Sequence, residues 1–209
     1  MRPDGRPAPL ETAARPDPHH FGRADLAALL GELGFNLGAE IGVLDGEYSE
    51  VLCKFNPHLK LFCIDPWERT GNYGDYNNQT LAKCYENAKD RLAKYNCEII
   101  KKTSAEALRY FCDGKLDFVY IDGNHQDPDV TFDVNEWSKK VHSGGIVSGH
   151  DFVRVKSRNT NMDWKVKDAV TNYVATNNIP CFFTWGSKAY EPGKVRDASL
   201  SWMFVKPTI

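Results

Sequence analysis

Five apolar runs of strand length recur between residues 38 and 151: "GAEIGV", "LKLFCID", "CEIIKK", "LDFVYID" and "GGIVSGHD". Amphipathic stretches alternate with them, over about residues 47–55 and then "TLAKCYENAKDRLAKY", "SAEALRYFC" and "DPDVTFDVNEWSKKV", with "WKVKDAVTNYVATNN" after the fifth run. This alternation constrains the fold more than any other feature. A strand that is apolar along its whole length must be covered on both faces, and parallel neighbours need a crossover, usually a helix. The predicted fold class is therefore α/β: a Rossmann-like three-layer sandwich around a mostly parallel, seven-stranded sheet. The last two strands, within "PCFFTWG" and "LSWMFVK", have only a polar Gly/Pro-containing loop between them. They are expected to form a C-terminal hairpin that adds one antiparallel strand. Ahead of the first strand, Leu26, Leu29, Leu30 and Leu33 keep helical spacing and Gly34 supplies a stop.

Residues 1–20 carry five prolines and almost no large apolar side chain. They cannot bury enough surface to offset ordering entropy, so a disordered leader is expected, with 21–209 as a single domain. The net charge of -2, without a lysine or arginine block, argues against nucleic acid as a partner. No apolar run approaches the roughly 20 residues a bilayer span needs. The six cysteines lack CxxC spacing, which argues against a zinc site or a disulfide framework and for buried thiols in a reducing compartment. A cytosolic protein acting on a small molecule is expected, with a second copy of itself as a partner in a homodimer and no membrane partner.

In an open parallel sheet, ligands gather at the carboxyl ends of the strands. Those ends carry Glu40, Gly42, Gly46 and Ser49 after the first strand, and Asp65 followed by Trp67 after the second. Ser104 and Ala105 follow the third, Asp122 and His125 the fourth, His150 and Asp151 the fifth. The glycines let backbone approach a ligand, and Asp65 can accept from the two hydroxyls of a ribose. A nucleoside is therefore expected. GxGxxG is missing and Glu40 repels phosphate, so a cationic adenosyl ligand fits better than a dinucleotide.

These residues resemble the class I S-adenosylmethionine-dependent methyltransferases. "EIGVLDG" is similar to their glycine-rich first motif and "LFCIDP" to their ribose-binding acid. "TSAEAL" resembles their adenine-side segment, and "LDFVYIDGNH" with "GGIVSGHDF" their later strands. The resemblance spans about residues 22–206 and is greatest to small-molecule O-methyltransferases of the catechol and macrolide-sugar kind. It implies S-adenosylmethionine as cofactor, held by Glu40, Gly42, Gly46, Ser49, Asp65, Trp67, Ser104, Ala105 and Asp122. It also implies a divalent ion such as Mg²⁺ on Asp122 and the His150–Asp151 pair. His150 departs from that pattern, because imidazole is softer than magnesium normally takes; manganese, an iron-like ion or no metal are the alternatives. His125 falls about where the catechol enzymes carry their basic residue, so His125 or His150 is the expected catalytic base on a sugar or phenol hydroxyl.

Simpler readings accompany these. The glycines can merely turn the chain, Asp65 can cap, Ser104 can be a helix N-cap, and the histidines can be hydrogen-bonded loop residues. Trp137, Phe132 and Val141 read as the buried face of a helix. Trp67, Tyr73 and Tyr76 are expected to wall an acceptor pocket, with "FVRVKSRNTNMDW" as its other wall, in which Arg154, Lys156 and Arg158 read as solvated. Two rival functions share the fold: a nicotinamide-dependent dehydrogenase, which lacks support from a three-glycine turn or a Tyr-x-x-x-Lys pair, and a cofactor-binding scaffold without chemistry.

Overall fold

The computed structural model describes residues 21–70, 76–156, 163–184 and 199–207. The leader, Tyr73 and Arg158 lie outside the described residues. In chain order the elements are α1 (Arg23–Glu32), β1 (Leu37–Ile41), α2 (Glu47–Phe55), β2 (Lys60–Asp65), α3 (Asn78–Leu92) and β3 (Cys97–Lys101). They continue with α4 (Ser104–Ala107), β4 (Leu116–Ile121), α5 (Asp129–Lys140), β5 (Val141–Gly149), β6 (Val155–Lys156) and β7 (Asp163–Trp164). The chain closes with α6 (Val166–Thr176), β8 (Phe182–Phe183) and β9 (Trp202–Val205).

Seven strands form one sheet in the order β3-β2-β1-β4-β5-β9-β8. The first five are parallel, and β9 runs antiparallel to both β5 and β8, as expected of a closing hairpin. Side chains alternate across the sheet. Ala39, Ile41, Ile64, Val119 and Ile121 meet Trp137 of α5 and Val170 of α6 on one face. Leu61, Cys63, Phe118 and Tyr120 meet Leu26 and Leu30 of α1 and Leu52 of α2 on the other. Because β2 and β4 lie on opposite sides of β1, the strand order reverses there, and a crevice opens above the carboxyl ends of β1 and β4.

Three expectations need correction. The stretch after β5 contains a small two-stranded sheet, β6 with β7, so Trp164 pairs opposite Val155 instead of opening a helix. Phe132 is 38% exposed while Trp137 and Val141 are buried. Five helical residues amount to about 140° of rotation, so Phe132 and Trp137 cannot share a face. The six cysteines are free, but Cys112 is exposed. No helix among the described residues is long and apolar enough to cross a membrane.

Candidate active site

A cavity of about 750 Å³ lies over the strand ends at the point of reversal. Its floor is set by backbone. The Gly42 N–H donates to the Ile64 carbonyl (2.9 Å) and the Asp122 N–H to the Ile41 carbonyl (2.7 Å), carrying the strand pairing one residue past β1 and β4. The chain then turns away at Gly42, whose φ is +86°. A Cβ there would lie 2.0 Å from the Asp122 carbonyl oxygen, so only glycine fits.

Glu40 lines the cavity and is almost wholly buried. Burial pushes its carboxyl up to about 8, although the Ser49 hydroxyl donates to it and opposes the rise. Ser49 is fully buried and stands behind Glu40, outside the cavity wall. It donates to that acid and does not itself line the cavity. Gly46 likewise does not line the cavity; with φ +80° it caps α2, and a Cβ there would press on Leu92 at 3.2 Å.

Asp65 does line the cavity, but its carboxylate is largely committed to the protein. Oδ2 accepts from the N–H groups of Val43 (2.9 Å) and Leu44 (3.0 Å), and Oδ1 from that of Trp67 (2.7 Å). Burial pushes its carboxyl up, and these three hydrogen bonds act against the rise. A carboxylate offers about four acceptor sites, so a two-handed grip on a ribose diol is not available to Asp65 alone. Glu68, three residues on, lines the same wall and is exposed. Trp67 is a correction: it lines no part of the cavity, because its ring packs on Tyr85 in the core. Its Nε1 donates to the Leu44 carbonyl (2.6 Å), clamping the loop from behind. Tyr76 does reach the cavity.

Ser104 and Ala105 line the cavity at its β3 end. Thr103, not Ser104, caps α4, through a capping box with Glu106. The Ser104 hydroxyl instead donates to the buried carboxylate of Asp133 on α5. Sequence reasoning missed Asp133 and Phe132, both of which line this end. Burial pushes the Asp133 carboxyl up to about 7. The folded protein therefore holds a proton there that the unfolded chain releases near pH 4, and stability falls as pH rises from about 4 through 7. Asp133→Asn is expected to remove this slope, raising stability relative to the parent at pH 8 by on the order of 3 kcal/mol and little at pH 4. Urea titrations of both proteins across that range check it.

At the third corner, Asp122, His125, His150 and Asp151 converge. The His125 Nε2 lies 3.3 Å from Asp122 Oδ1 and 3.4 Å from Asp151 Oδ2. The His150 Nδ1 lies 3.4 Å from Asp151 Oδ2 and 3.8 Å from Asp122 Oδ2. Burial pushes the Asp151 carboxyl up, but the hydrogen bond and charge of His150 and the charge of His125 outweigh it and hold the group well below the usual carboxylate range. Ligand atoms of Asp122, His125 and Asp151 all lie within 4.8 Å of one another, so His125 joins the metal-capable set in the place expected for His150. Trp164 packs against the His125 ring at 4.7 Å between centroids and lines the cavity. Arg154, on the outer segment, pairs with Asp168 at 3.3 Å and is 62% exposed, which fits a solvated side chain. Arg23, from the helix before the first motif, reaches the same corner, 3.7 Å from Asp122.

A parallel sheet closed by one reversed strand, with a glycine turn and acids around the crevice, defines the class I methyltransferase architecture. The chain belongs to the methyltransferase-domain family, whose model matches residues 39–152, and is an S-adenosylmethionine-dependent methyltransferase. No curated protein matches the chain. Among solved structures it is similar to an O-methyltransferase from Bacillus cereus in complex with SAH (TM-score 0.60, 18% identity, 88% of this chain and 80% of that one). It is also similar to TomG from Streptomyces achromogenes, an O-methyltransferase involved in tomaymycin synthesis, in complex with SAM (TM-score 0.59, 19% identity, 88% and 79%). An rRNA methylase from Streptococcus thermophilus matches too (TM-score 0.56, 14% identity, 88% and 94%). At these identities the likeness is one of fold.

Proposed function

We propose that this chain transfers a methyl group from S-adenosylmethionine to the oxygen of a small-molecule hydroxyl. The observation that carries the proposal is the cluster of two carboxylates and two imidazoles set beside the glycine turn in one cavity. The Gly42 turn, with room for backbone and none for a Cβ, suits the amino-acid end of the cofactor. Asp65 shapes that turn and shares the ribose with Glu68, while Ser104, Ala105, Phe132 and Asp133 take the adenine side. When bound, the cofactor supplies an electrophilic methyl on a sulfonium. The protein's part is to position the acceptor and to take its proton, at His125 or His150. Alternatively Asp122, His125 and Asp151, with His150 beside them, would hold a divalent ion, which when bound would supply a lowered pKa at the acceptor hydroxyl. That donor set suits manganese or an iron-like ion better than magnesium.

The cavity volume falls in the range of small-molecule sites. Among the described residues its lining holds more Asp and Glu than Arg, Lys and His together, an acidic balance that favours a small acceptor over the phosphate backbone of RNA. Glu40 supplies a specific test. With its carboxyl raised to about 8 by burial, it is largely protonated at pH 7, and a cationic ligand favours the ionised form. Binding of S-adenosylmethionine is expected to release a proton at pH 7 and to tighten as pH rises toward 8, and Glu40→Gln to lose this release. Calorimetry in buffers of different ionisation enthalpy measures the proton directly. Absence of binding at millimolar cofactor would overturn the proposal, as would methyl transfer to RNA transcripts and to none of a panel of phenols and sugars.

A further inference from the structure

The cavity lining is unbalanced in charge: among the described residues it has nine Asp and Glu side chains, no lysine, and one arginine, Arg23. Arg23 opens α1, where a cation opposes the helix dipole, so the helix itself gives no reason for it. Its side chain is only 10% exposed. The Tyr48 hydroxyl donates to the Arg23 carbonyl (3.1 Å), and the Tyr48 ring lies under the guanidinium at 5.3 Å to its centroid. That ring packs in turn on Tyr120 of β4, at 4.3 Å between centroids. The guanidinium is thus fixed to the sheet from below. Its Nη1 stands 3.7 Å from Asp122 Oδ2, an ion pair rather than a hydrogen bond, and its charge also acts on Glu40.

We propose that Arg23 binds a carboxylate, that of the amino-acid end of the cofactor. The inference rests on the reading of the cavity as an S-adenosylmethionine site. That ligand brings a sulfonium, an ammonium and one carboxylate. The two cations match the acids, but the carboxylate would be repelled by them unless a cation meets it. A buried guanidinium with a planar fork of five donors matches a carboxylate in geometry as well as charge. Its neighbours Glu40 and Asp122 flank Gly42, the turn that receives the amino-acid end, which assigns the carboxylate to the cofactor rather than to an acceptor.

The test compares S-adenosylhomocysteine with its decarboxylated analogue, each titrated by calorimetry into the parent, Arg23→Met and Arg23→Lys. The parent is expected to prefer the carboxylated ligand by about ten- to a hundredfold, as a charge-assisted hydrogen bond provides. Arg23→Met should bind both ligands alike, and Arg23→Lys should keep part of the preference. An unchanged preference in a folded Arg23→Met would overturn the inference, as would a parent that binds both ligands equally. So would a variant with parental cofactor preference but a raised KM for a carboxylated acceptor alone. Failure of the parent to bind either ligand would instead overturn the cofactor reading itself, so the two failures are distinguishable.

Discussion

Gly42→Ala is expected to abolish binding of S-adenosylhomocysteine and to destabilise the fold by roughly 2–5 kcal/mol. The new Cβ would lie 2.0 Å from the Asp122 carbonyl oxygen, 2.4 Å from its carbonyl carbon and 2.7 Å from the Gly123 nitrogen. All three are backbone atoms, so no side chain can swing aside. Relief would have to come from spreading β1 and β4 apart where the Asp122 N–H donates to the Ile41 carbonyl, and that same gap forms the floor of the cavity. A positive φ adds strain of its own for alanine. Gly34→Ala separates the two effects, because Gly34 also has positive φ (+73°) but has nothing within 4 Å of its Cβ position. It should cost only about 1 kcal/mol and leave binding intact. Thermal melts with and without ligand make the comparison; a Gly42→Ala protein that binds within twofold of the parent would sink the account of the cradle.

His125→Ala should lower the rate of methyl transfer by about 10²- to 10⁴-fold while leaving the affinity for S-adenosylhomocysteine unchanged. His125 is within 3.4 Å of both carboxylates of the cluster and touches Trp164, so it occupies the junction between the acids and the acceptor side. If it acts as a base, the parent's rate should fall at low pH, as the imidazole becomes protonated, and should ignore chelator. If it acts as a metal ligand, chelation of the parent should reproduce the loss, and manganese should restore the parent but not the variant. Parental turnover in His125→Ala, with or without chelator, would remove His125 from the mechanism and leave His150 as the base.

The order of elements was legible in the sequence because it is written locally. In a run such as "LDFVYID" four successive residues, Phe118 to Ile121, are apolar or aromatic, so both faces of the strand must be covered, which implies a parallel sheet between helix layers. The closing hairpin was legible for the same reason, since two strands without a helix between them must run antiparallel. The polar residues at the strand ends followed once the strands were placed. Glu40, Gly42, Asp65, Ser104, Ala105, Asp122, His125, His150 and Asp151 do line one cavity.

What tertiary structure decided is which way each of these groups faces and what already occupies it. Ser49 is two residues into α2 and Trp67 two beyond β2, close enough in sequence to look like ligand contacts. The packing of α2 on α1 and of the Trp67 ring on Tyr85 turns both away from the cavity. Asp65 keeps its place, but backbone N–H groups from 21 and 22 residues earlier, together with that of Trp67, take most of its acceptor sites. No local pattern announces such long-range hydrogen bonds. Phe132 was partly readable from helical phase, being on the other side of α5 from Trp137, whereas Asp133 and Arg23 were not. They enter the site through the crossings of α5 and α1 over the sheet. Periodicity along one element fixes the face a residue takes; only the register between elements fixes what that face meets.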